Sequence, residues 1–263
     1  MDPSAIPQRI GSYQTIRLLQ QSDRSVLFLG EHPYHKQQVV IKVAAPSLWQ
    51  EEEAQGRLWR EAEVMQRIHH PAIVSLYESG LWEGGIYLAM ERVVGCNLKE
   101  RIQKGHLPLE EALSIVFQAA CALYHLHVHG VIHRDIKPQN LLLGSHGQVK
   151  LVDFGIVRFV FEKNVNVAAH KRLIGTPLYM SPEQKRNPEN VGIFTDLYAL
   201  GVVLYELVTG HIPKRPWQFS AVPLNLQKIL LRSLHPNPEK RYPDALDFME
   251  DLRSVLIEIS GIS

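Results

Sequence analysis

The sequence predicts an α+β fold with two lobes, a small strand-rich lobe followed by a larger helical one. Runs of β-branched and aromatic residues, with one helical stretch between them, dominate the chain up to about residue 91, whereas beyond Gly95 the apolar spacing becomes helical. The 263 residues suit one large domain or two coupled lobes, and an apolar content of 45% is enough for a core. We therefore expect a domain over 13–263, with an extension at 1–12, an N-lobe at about 13–91, a hinge at about 91–95 and a C-lobe at about 96–260.

The predicted N-lobe has five strands and one helix. Polar segments at 20–25 and 32–37 separate the first three strands, and a turn around Gly84 joins the last two. Leu58, Ala62 and Met65 repeat at helical spacing, and Pro71 follows the helix they mark. We expect strands at 13–19, 26–31, 38–43, 73–78 and 85–91, and the helix at 51–68.

The predicted C-lobe begins with a helix after Pro108. Glu110 and Glu111 lie in its first turn, where the helix dipole favours acidic side chains. The most apolar long stretch, 191–210, contains Asp196 and Glu206, so it is predicted to be a buried helix rather than a membrane span. We expect helices at 108–129, 195–209, 224–234 and 243–258, and short strands at 141–143 and 149–152.

Charge and cysteine content exclude several classes of protein. The 28 basic and 27 acidic residues give a formal charge of +1, which indicates neither nucleic-acid nor membrane binding by electrostatics. The first ten residues lack the basic start and apolar run of a signal peptide. Cys96 and Cys121 lack metal-type spacing, which is typical of a reduced intracellular protein. We expect a cytoplasmic chain with no membrane segment, and no feature indicates an oligomeric state.

Residues 133–140, which read H-R-D-I-K-P-Q-N, contain side chains that can act together on one transferred phosphate. Asp135 can accept a hydroxyl proton, Lys137 can steady a moving phosphoryl group, and Asn140 can bind a metal ion. Asp153 follows as a second possible metal ligand, and Phe154 and Gly155 come directly after it. The pattern indicates phosphoryl transfer to a hydroxyl group.

These two motifs resemble the catalytic and metal loops of the eukaryotic-type (Hanks-type) serine/threonine protein kinases. The resemblance extends over nearly the whole chain and implies a two-lobed kinase fold, ATP and Mg²⁺ as cofactors, and a protein serine or threonine as the acceptor. Lys137 resembles the residue of serine/threonine-specific rather than tyrosine-specific members. The run Y-M-S-P-E-Q at 179–184 and the short loops are similar to bacterial members.

The resemblance assigns catalytic roles to residues along the chain. Lys42, in V-V-I-K, would bind the nucleotide's α- and β-phosphates, and Glu61 would be its ion-pair partner. Asn140 and Asp153 would be the metal ligands. Thr176 would hydrogen-bond the catalytic acid and lysine. The implied catalytic set is Asp135, Lys137, Lys42 and Thr176.

The same resemblance places the nucleotide base. It would lie between Leu27 and Val40 on one side and Leu142 on the other, with Met90 at the back of the pocket. The backbone of 91–93 would bind the edge of the base. The implied nucleotide-binding set is Leu19, Leu27, Val40, Lys42, Glu61, Met90, Glu91, Val93, Asn140, Leu142 and Asp153.

Three further residues have structural roles by this resemblance. Glu183 would form an ion pair with the distant Arg241. Asp196 would accept hydrogen bonds from the backbone of the catalytic loop.

The phosphate-covering loop departs from the family's G-x-G-x-x-G pattern. Gln20, Ser22 and Ser25 occupy the three glycine positions, and Asp23 adds a negative charge. A non-glycine residue at positive φ costs roughly 1–2 kcal/mol. Each lost hydrogen bond to a charged phosphate would cost roughly 1.5–3 kcal/mol. We expect ATP binding to be weakened by about one to three powers of ten, at ~1.4 kcal/mol per tenfold.

Two other loops also depart from the family. Residues 156–175 contain no Ser, Thr or Tyr, so we expect a kinase that is not switched by phosphorylation in this loop, with Glu162 as a possible stand-in for the phosphate that Arg134 would bind. Only 210–223 separates two predicted helices, and its prolines argue against a docking helix there.

Three alternatives remain open. An active kinase is favoured because all the catalytic groups are present. A pseudokinase, acting as a nucleotide- or protein-binding scaffold, is the main alternative because the loop glycines are absent. A small-molecule phosphotransferase of the same fold is the third. His125 and His129 share a helix face, but no Cys or acidic cluster completes a zinc site.

Overall fold

The structure, a computed structural model, describes residues 6–105, 107–159, 177–189, 191–214 and 218–260. The chain divides into two compact units. The first extends to His69 and includes Val74–Val93, and the second comprises His70–Ile73 and the chain from Val94 onward. Strands predominate in the first unit and helices in the second, which confirms the predicted α+β fold.

The first unit is an antiparallel sheet with one helix packed on it. The elements are β1 (Arg9–Ile10), β2 (Tyr13–Gln21), β3 (Ser25–Glu31), β4 (Gln38–Ala44), α1 (Glu52–Arg67), β5 (Leu76–Trp82) and β6 (Gly85–Glu91). The strand order is β1-β2-β3-β4-β6-β5. In β4 the side chains of Val39, Ile41 and Val43 are buried, while Val40 and Lys42 point to the opposite face, because successive side chains alternate along a strand.

The strand predicted at 73–78 was placed too early in the chain, since β5 begins at Leu76. Ile73 and Val74 are buried, but both precede the strand, and Ile73 pairs with Leu151 in an isolated bridge within the second unit. An apolar sequence pattern indicates burial, and Ile73 and Val74 are buried without belonging to β5. The other four strands of the first unit lie where they were expected, within two residues at each end.

The segment assigned to an extension contributes to the core of the first unit. Ile10, in β1, is fully buried together with Tyr13 and Tyr87. Gly11 follows with φ of +55°, and a Cβ atom there would lie 2.1 Å from the Tyr87 ring. Glycine at this position therefore permits both the backbone conformation and the close packing.

The second unit consists mainly of helices. The elements are β7 (Gly95–Asn97), α2 (Leu98–Gln103), α3 (Leu109–Val128), β8 (Val131–Ile132), β9 (Leu141–Gly144), β10 (Val149–Leu151), β11 (Arg158–Phe159), α4 (Pro182–Arg186), α5 (Phe194–Thr209), α6 (Leu224–Ser233) and α7 (Ala245–Ser260). Helix α3 packs against both α5 and α7. The strands form two small antiparallel sheets, ordered β10-β9-β7 and β11-β8, and residues 133–140 connect β8 to β9. The four helices predicted here are confirmed within two residues at each end.

Helix α5 is the buried helix predicted from its apolar sequence. Asp196 and Glu206 are both almost fully buried within it, and Gly210 ends it in the left-handed conformation. Between α5 and α6, the described positions 211–214 and 218–223 contain no helix. Within the described residues, no helix is long and apolar enough to cross a membrane.

Candidate active site

Lys42 and Glu61 form the predicted ion pair inside the first unit. Glu61 lies on the buried face of α1, in the helical register of Leu58, Ala62 and Met65. Lys42 Nζ lies 2.8 Å from both carboxylate oxygens, and the two side chains are 11% and 2% exposed. The positive charge of Lys42 thus offsets the free-energy cost of burying the Glu61 carboxylate.

Four of the residues assigned to nucleotide binding share one face of the six-stranded sheet. Leu27 pairs with Lys42, and Val40 pairs with Met90. Directly opposed residues of an antiparallel pair point to the same side, as do residues two apart in one strand. The structure therefore brings Leu27, Val40, Lys42 and Met90 together on the face opposite the apolar core.

The end of β6 is held by two hydrogen bonds to Ser75. The Glu91 N–H donates to the Ser75 carbonyl at 2.8 Å, and the Glu91 carboxylate accepts from the Ser75 N–H at 3.1 Å. Val93 is the last residue of the first unit. Leu142 belongs to the second unit, where it pairs with Lys150 in β10.

The loop that departs from the glycine-rich pattern is a tight turn between β2 and β3. The Ser22 hydroxyl accepts the N–H groups of Arg24 at 3.3 Å and Ser25 at 3.1 Å, and the Ser22 N–H donates to the Ser25 carbonyl at 2.9 Å. Leu19 lies at a bulge in β2 and is 38% exposed. The turn is thus closed by its own serine.

The prediction that replacing glycine strains the backbone of this turn was wrong. In the described chain the non-glycine residues with positive φ are Lys36, Arg134, His146 and Asp153, none of which lies in the turn. The backbone has adopted a conformation that Gln20, Ser22 and Ser25 accept without that cost. Any weakening of ATP binding must therefore come from the turn's hydrogen bonding and charge.

The catalytic-loop side chains converge on the Asp135 carboxylate. Lys137 Nζ lies 2.6 Å from Asp135 Oδ2, and Asn140 Nδ2 lies 3.1 Å from the same oxygen. Asn140 Nδ2 also donates to the Asp135 carbonyl at 2.8 Å. The predicted acid, lysine and amide therefore form one hydrogen-bonded group.

The donor set next to Asp135 suits a divalent cation. The amide nitrogen of Asn140 is committed to Asp135, which orients the amide oxygen as the atom for a metal. Asp153 has φ of +68°, and the N–H of Val152 before it donates to the Asn140 carbonyl at 3.0 Å. Hard oxygen ligands of this kind bind Mg²⁺ together with substrate phosphates.

Among the described residues, no group of three or more His, Cys, Asp or Glu side chains is arranged to hold a metal ion. Asn140 and Asp153 would therefore need phosphate oxygens or water to complete a coordination sphere.

His133 supports the loop from inside the core. It is fully buried, and this burial lowers its pKa, although the carboxylates of Asp196, Asp135 and Asp153 act in the opposite direction. The neutral ring fits its contacts, since Nδ1 accepts the Asp135 N–H at 3.3 Å and Nε2 lies 3.2 Å from the Val152 carbonyl. Its ring also packs edge-on against Phe154, with centroids 5.2 Å apart.

Asp196 holds the backbone of the catalytic loop, as predicted. Its carboxylate accepts the N–H groups of His133 at 2.9 Å and Arg134 at 2.8 Å, and it lies 2.9 Å from His127 Nε2. Burial alone would raise the pKa of Asp196, but the hydrogen bond and charge of His127 outweigh it and hold that pKa below its ordinary value. A buried anion is therefore stabilised where it orders the loop.

The predicted pair of Glu183 and Arg241 is also confirmed. The guanidinium binds both carboxylate oxygens, at 2.6 and 2.8 Å, and also donates to the Phe194 carbonyl at 2.9 Å. Burial would raise the pKa of Glu183, but the Arg241 hydrogen bonds outweigh it and lower that pKa. The pair joins α4 to the segment before α7.

Some of the predicted residues lie outside the part of the chain that the structure describes. Thr176, Glu162 and most of the loop without phosphate acceptors belong to the residues that are not described.

Ser181, Gln184 and Thr195 are buried polar residues that sequence reasoning missed. Ser181 had a signal, because a serine directly before a proline is a common helix start, and its hydroxyl does accept the Gln184 N–H.

Comparison with known proteins shows the family of the chain. Residues 13–256 match the family described as the protein kinase domain. The chain is 33% identical to the serine/threonine-protein kinase PrkC of Bacillus subtilis over 93% of this chain and 40% of that protein. It is 34% identical to the serine/threonine-protein kinase PknB of Mycobacterium tuberculosis over 81% of this chain and 38% of that protein.

A solved structure has the same fold. The PknI kinase domain of Mycobacterium tuberculosis superposes with a TM-score of 0.76 at 27% identity, covering 95% of this chain and 99% of that one. The chain spans about two fifths of the length of its bacterial relatives, 40% for PrkC and 38% for PknB. Since the family match covers most of the sequence and the solved structure has the same fold, the chain belongs to the protein kinase domain family.

Proposed function

We propose that this chain is a serine/threonine protein kinase domain that transfers the γ-phosphate of Mg-ATP to a hydroxyl group of a protein. The observation that supports it most is the arrangement of Lys137 and Asn140 around Asp135, with donor atoms 2.6 and 3.1 Å from one carboxylate oxygen. Phosphoryl transfer needs each of these groups, whereas binding by a scaffold does not.

Each group has a role in the reaction. Since Lys137 and Asn140 both bind Oδ2 of Asp135, its Oδ1 is the oxygen that accepts the proton of the incoming hydroxyl. The hydroxyl oxygen forms a bond to the γ-phosphorus while the bond to the leaving ADP oxygen breaks. Lys137 offsets the negative charge on the moving group. Mg²⁺ bound by Asn140 and Asp153 would neutralise the charge of the phosphates.

The remaining nucleotide contacts are proposed from the family pattern. Lys42, held by Glu61, binds the α- and β-phosphates. Thr176 hydrogen-bonds Asp135 and Lys137. The side chains proposed to enclose the base are Leu19, Leu27, Val40, Met90 and Leu142, and the backbone of Glu91 and Val93 is proposed to bind its edge.

We propose serine or threonine as the acceptor because Lys137 has the residue type of that class and the named relatives belong to it. A reducing, cytoplasmic setting fits Cys96 and Cys121, which are both free thiols. The domain is proposed to include β1 as well as the expected 13–263, with a hinge at about 91–95, and the break between the units at Val93 supports that hinge.

The test is incubation of the chain with γ-labelled ATP and Mg²⁺, with a basic protein and matched serine, threonine and tyrosine peptides as acceptors. We expect label on serine and threonine and none on tyrosine. Nucleotide binding with no transfer to any acceptor would instead favour the scaffold function, and label on small metabolite alcohols alone would favour a small-molecule phosphotransferase. Replacing Mg²⁺ with Ca²⁺ in a parallel reaction tests the metal, because Ca²⁺ prefers more ligands and looser geometry.

A further inference from the structure

The peptide group between Arg134 and Asp135 is pinned at both ends by side chains. Arg134 has φ of +69°, a left-handed conformation that residues other than glycine adopt at a cost. The N–H of the peptide, on Asp135, donates to His133 Nδ1 at 3.3 Å. Its carbonyl, on Arg134, accepts from Gln184 Nε2 at 2.8 Å. Rotation of this peptide would turn the Asp135 side chain, so these two bonds act together with Lys137 and Asn140 to set the direction of the carboxylate.

Gln184 is itself fixed in a buried polar chain. Its Oε1 accepts the Thr195 hydroxyl at 2.9 Å, and Thr195 Oγ1 lies 2.6 Å from Ser181 Oγ. The three side chains are at most 4% exposed. Because Thr195 occupies the oxygen of the Gln184 amide, the nitrogen is the atom that faces the Arg134 carbonyl. The amide thus has one orientation, and α5 sets it.

We propose that Gln184 is a positioning residue for Asp135, which orders the catalytic loop through the Arg134 carbonyl. This inference rests on the proposed phosphoryl transfer and adds to it a residue from α4 that does not touch the substrates. Gln184 acts on the peptide carbonyl, whereas Asp196 acts on the N–H groups of His133 and Arg134, so the two residues restrain different groups.

A second contact points to the same segment. The Arg134 guanidinium donates from Nη2 to the Pro188 carbonyl at 2.7 Å, just after α4. The segment 181–188 therefore binds the catalytic loop twice, once through the Gln184 side chain and once through the Pro188 backbone. Both contacts hold the left-handed Arg134 in place.

The test uses a substitution that makes the hydrogen bond depend on protonation. In Gln184→Glu, a protonated carboxyl group can still donate to the Arg134 carbonyl, whereas the carboxylate cannot and repels it. Burial raises the pKa of such a carboxyl group. Charged groups on the elements that Gln184 contacts include Arg134 in the catalytic loop, Asp196 in α5, and Glu183 in α4, which is paired with Arg241.

We expect kcat of Gln184→Glu, divided by that of the unchanged protein at the same pH, to rise as the pH falls from 8.5 to 6, while KM for ATP changes little. Gln184→Met, which cannot donate at any pH, should lower kcat by about tenfold throughout, since small misplacements of a reacting group are costly. Gln227→Glu is the matched control, because Gln227 also donates to backbone carbonyls, those of Phe219 and Val222. Its ratio should be independent of pH.

Thermal unfolding of every variant at each pH separates lost positioning from lost folding. A Gln184→Glu ratio that does not change with pH, in a folded protein, would overturn this inference and leave the proposed function intact. An unchanged protein that transfers no phosphate would overturn both. Equal pH dependence in Gln227→Glu would also contradict it, because the effect would then be general.

Discussion

The catalytic loop at 133–140 and the turn between β2 and β3 both serve the proposed phosphoryl transfer, but they are held in different ways. Side chains from distant parts of the sequence, Asp196 and Gln184, bind the catalytic-loop backbone. The turn is closed by the hydroxyl of its own Ser22. One geometry is thus imposed by tertiary structure, and the other arises locally.

This difference determines which of the two regions tolerates amino-acid substitution. A loop restrained from several directions keeps costly conformations such as the left-handed Arg134, and a substitution there disturbs many contacts. A turn that satisfies its own hydrogen bonds tolerates substitution, but its N–H groups are engaged before a phosphate arrives. We therefore expect large effects in the first region and small ones in the second.

The largest effect is expected for Asp135→Asn. The amide cannot accept the hydroxyl proton, so kcat should fall by about 10²–10⁴. Initial rates with labelled ATP measure it, ATP affinity should remain close to that of the unchanged protein, and thermal unfolding shows whether the variant is folded at the assay temperature. Activity within a few-fold of the original would contradict the assignment of Asp135 as the base.

Lys42→Met should remove both a phosphate contact and the cation beside a buried carboxylate. We expect kcat/KM to fall by about 10²-fold, and the free energy of unfolding to fall by about 3 kcal/mol because Glu61, which is only 1% exposed, would lose its ion-pair partner. The double variant Lys42→Met with Glu61→Gln is the control. It should recover most of the stability and none of the activity, and a double variant as unstable as the single one would show that the pair is not the cause.

The Glu183–Arg241 pair predicts a dependence of stability on pH. Since the pKa of Glu183 in the folded protein is below its ordinary value of 4.5, the pair stabilises the fold above about pH 4.5 and loses this effect as the pH falls further. Arg241→Met should lower the free energy of unfolding by about 3 kcal/mol at pH 7, with a smaller difference below pH 4.5. Denaturant titrations at several pH values measure both.

Arg57→Met is the matched control for that measurement. Arg57 pairs with Glu53 one turn away on α1, at 3.1 Å and partly exposed. Its loss should cost about 0.5 kcal/mol or less. Equal losses for the two arginines would contradict the importance of burial.

The smallest effect is expected in the turn. Ser22→Ala releases the N–H groups of Arg24 and Ser25, and ATP affinity should rise by about three- to tenfold. Glycine at 20, 22 and 25 together should lower KM for ATP further. Adenosine, which has no phosphate, is the control ligand in calorimetry. An equal gain for adenosine would show that the phosphates are not involved.

The same contrast explains how much could be predicted from the sequence. Long elements with a strong apolar pattern, such as α3 and α5, were found to within two residues because periodicity reflects burial directly. The strand β5 was misplaced because Ile73 and Val74 are buried outside a strand.

At the candidate site, the pairs of Lys42 with Glu61 and of Glu183 with Arg241 could be predicted because the resemblance specifies both partners. Gln184 and Thr195 could not, since an isolated polar residue usually lies at the surface and only the fold shows that these two are buried. The unstrained backbone of the turn between β2 and β3 was also missed, because the absence of the glycines does not show which conformation the turn adopts instead.

Burial of Ile10 has a practical consequence for anyone who trims this protein. The family match begins at residue 13, and a recombinant version cut there would lose β1 together with a fully buried isoleucine. Removing a buried side chain of that size typically costs about 2–5 kcal/mol, a large part of the stability of a small domain. Truncations should therefore begin before Arg9, and poor yield from a shorter version would say nothing about catalysis.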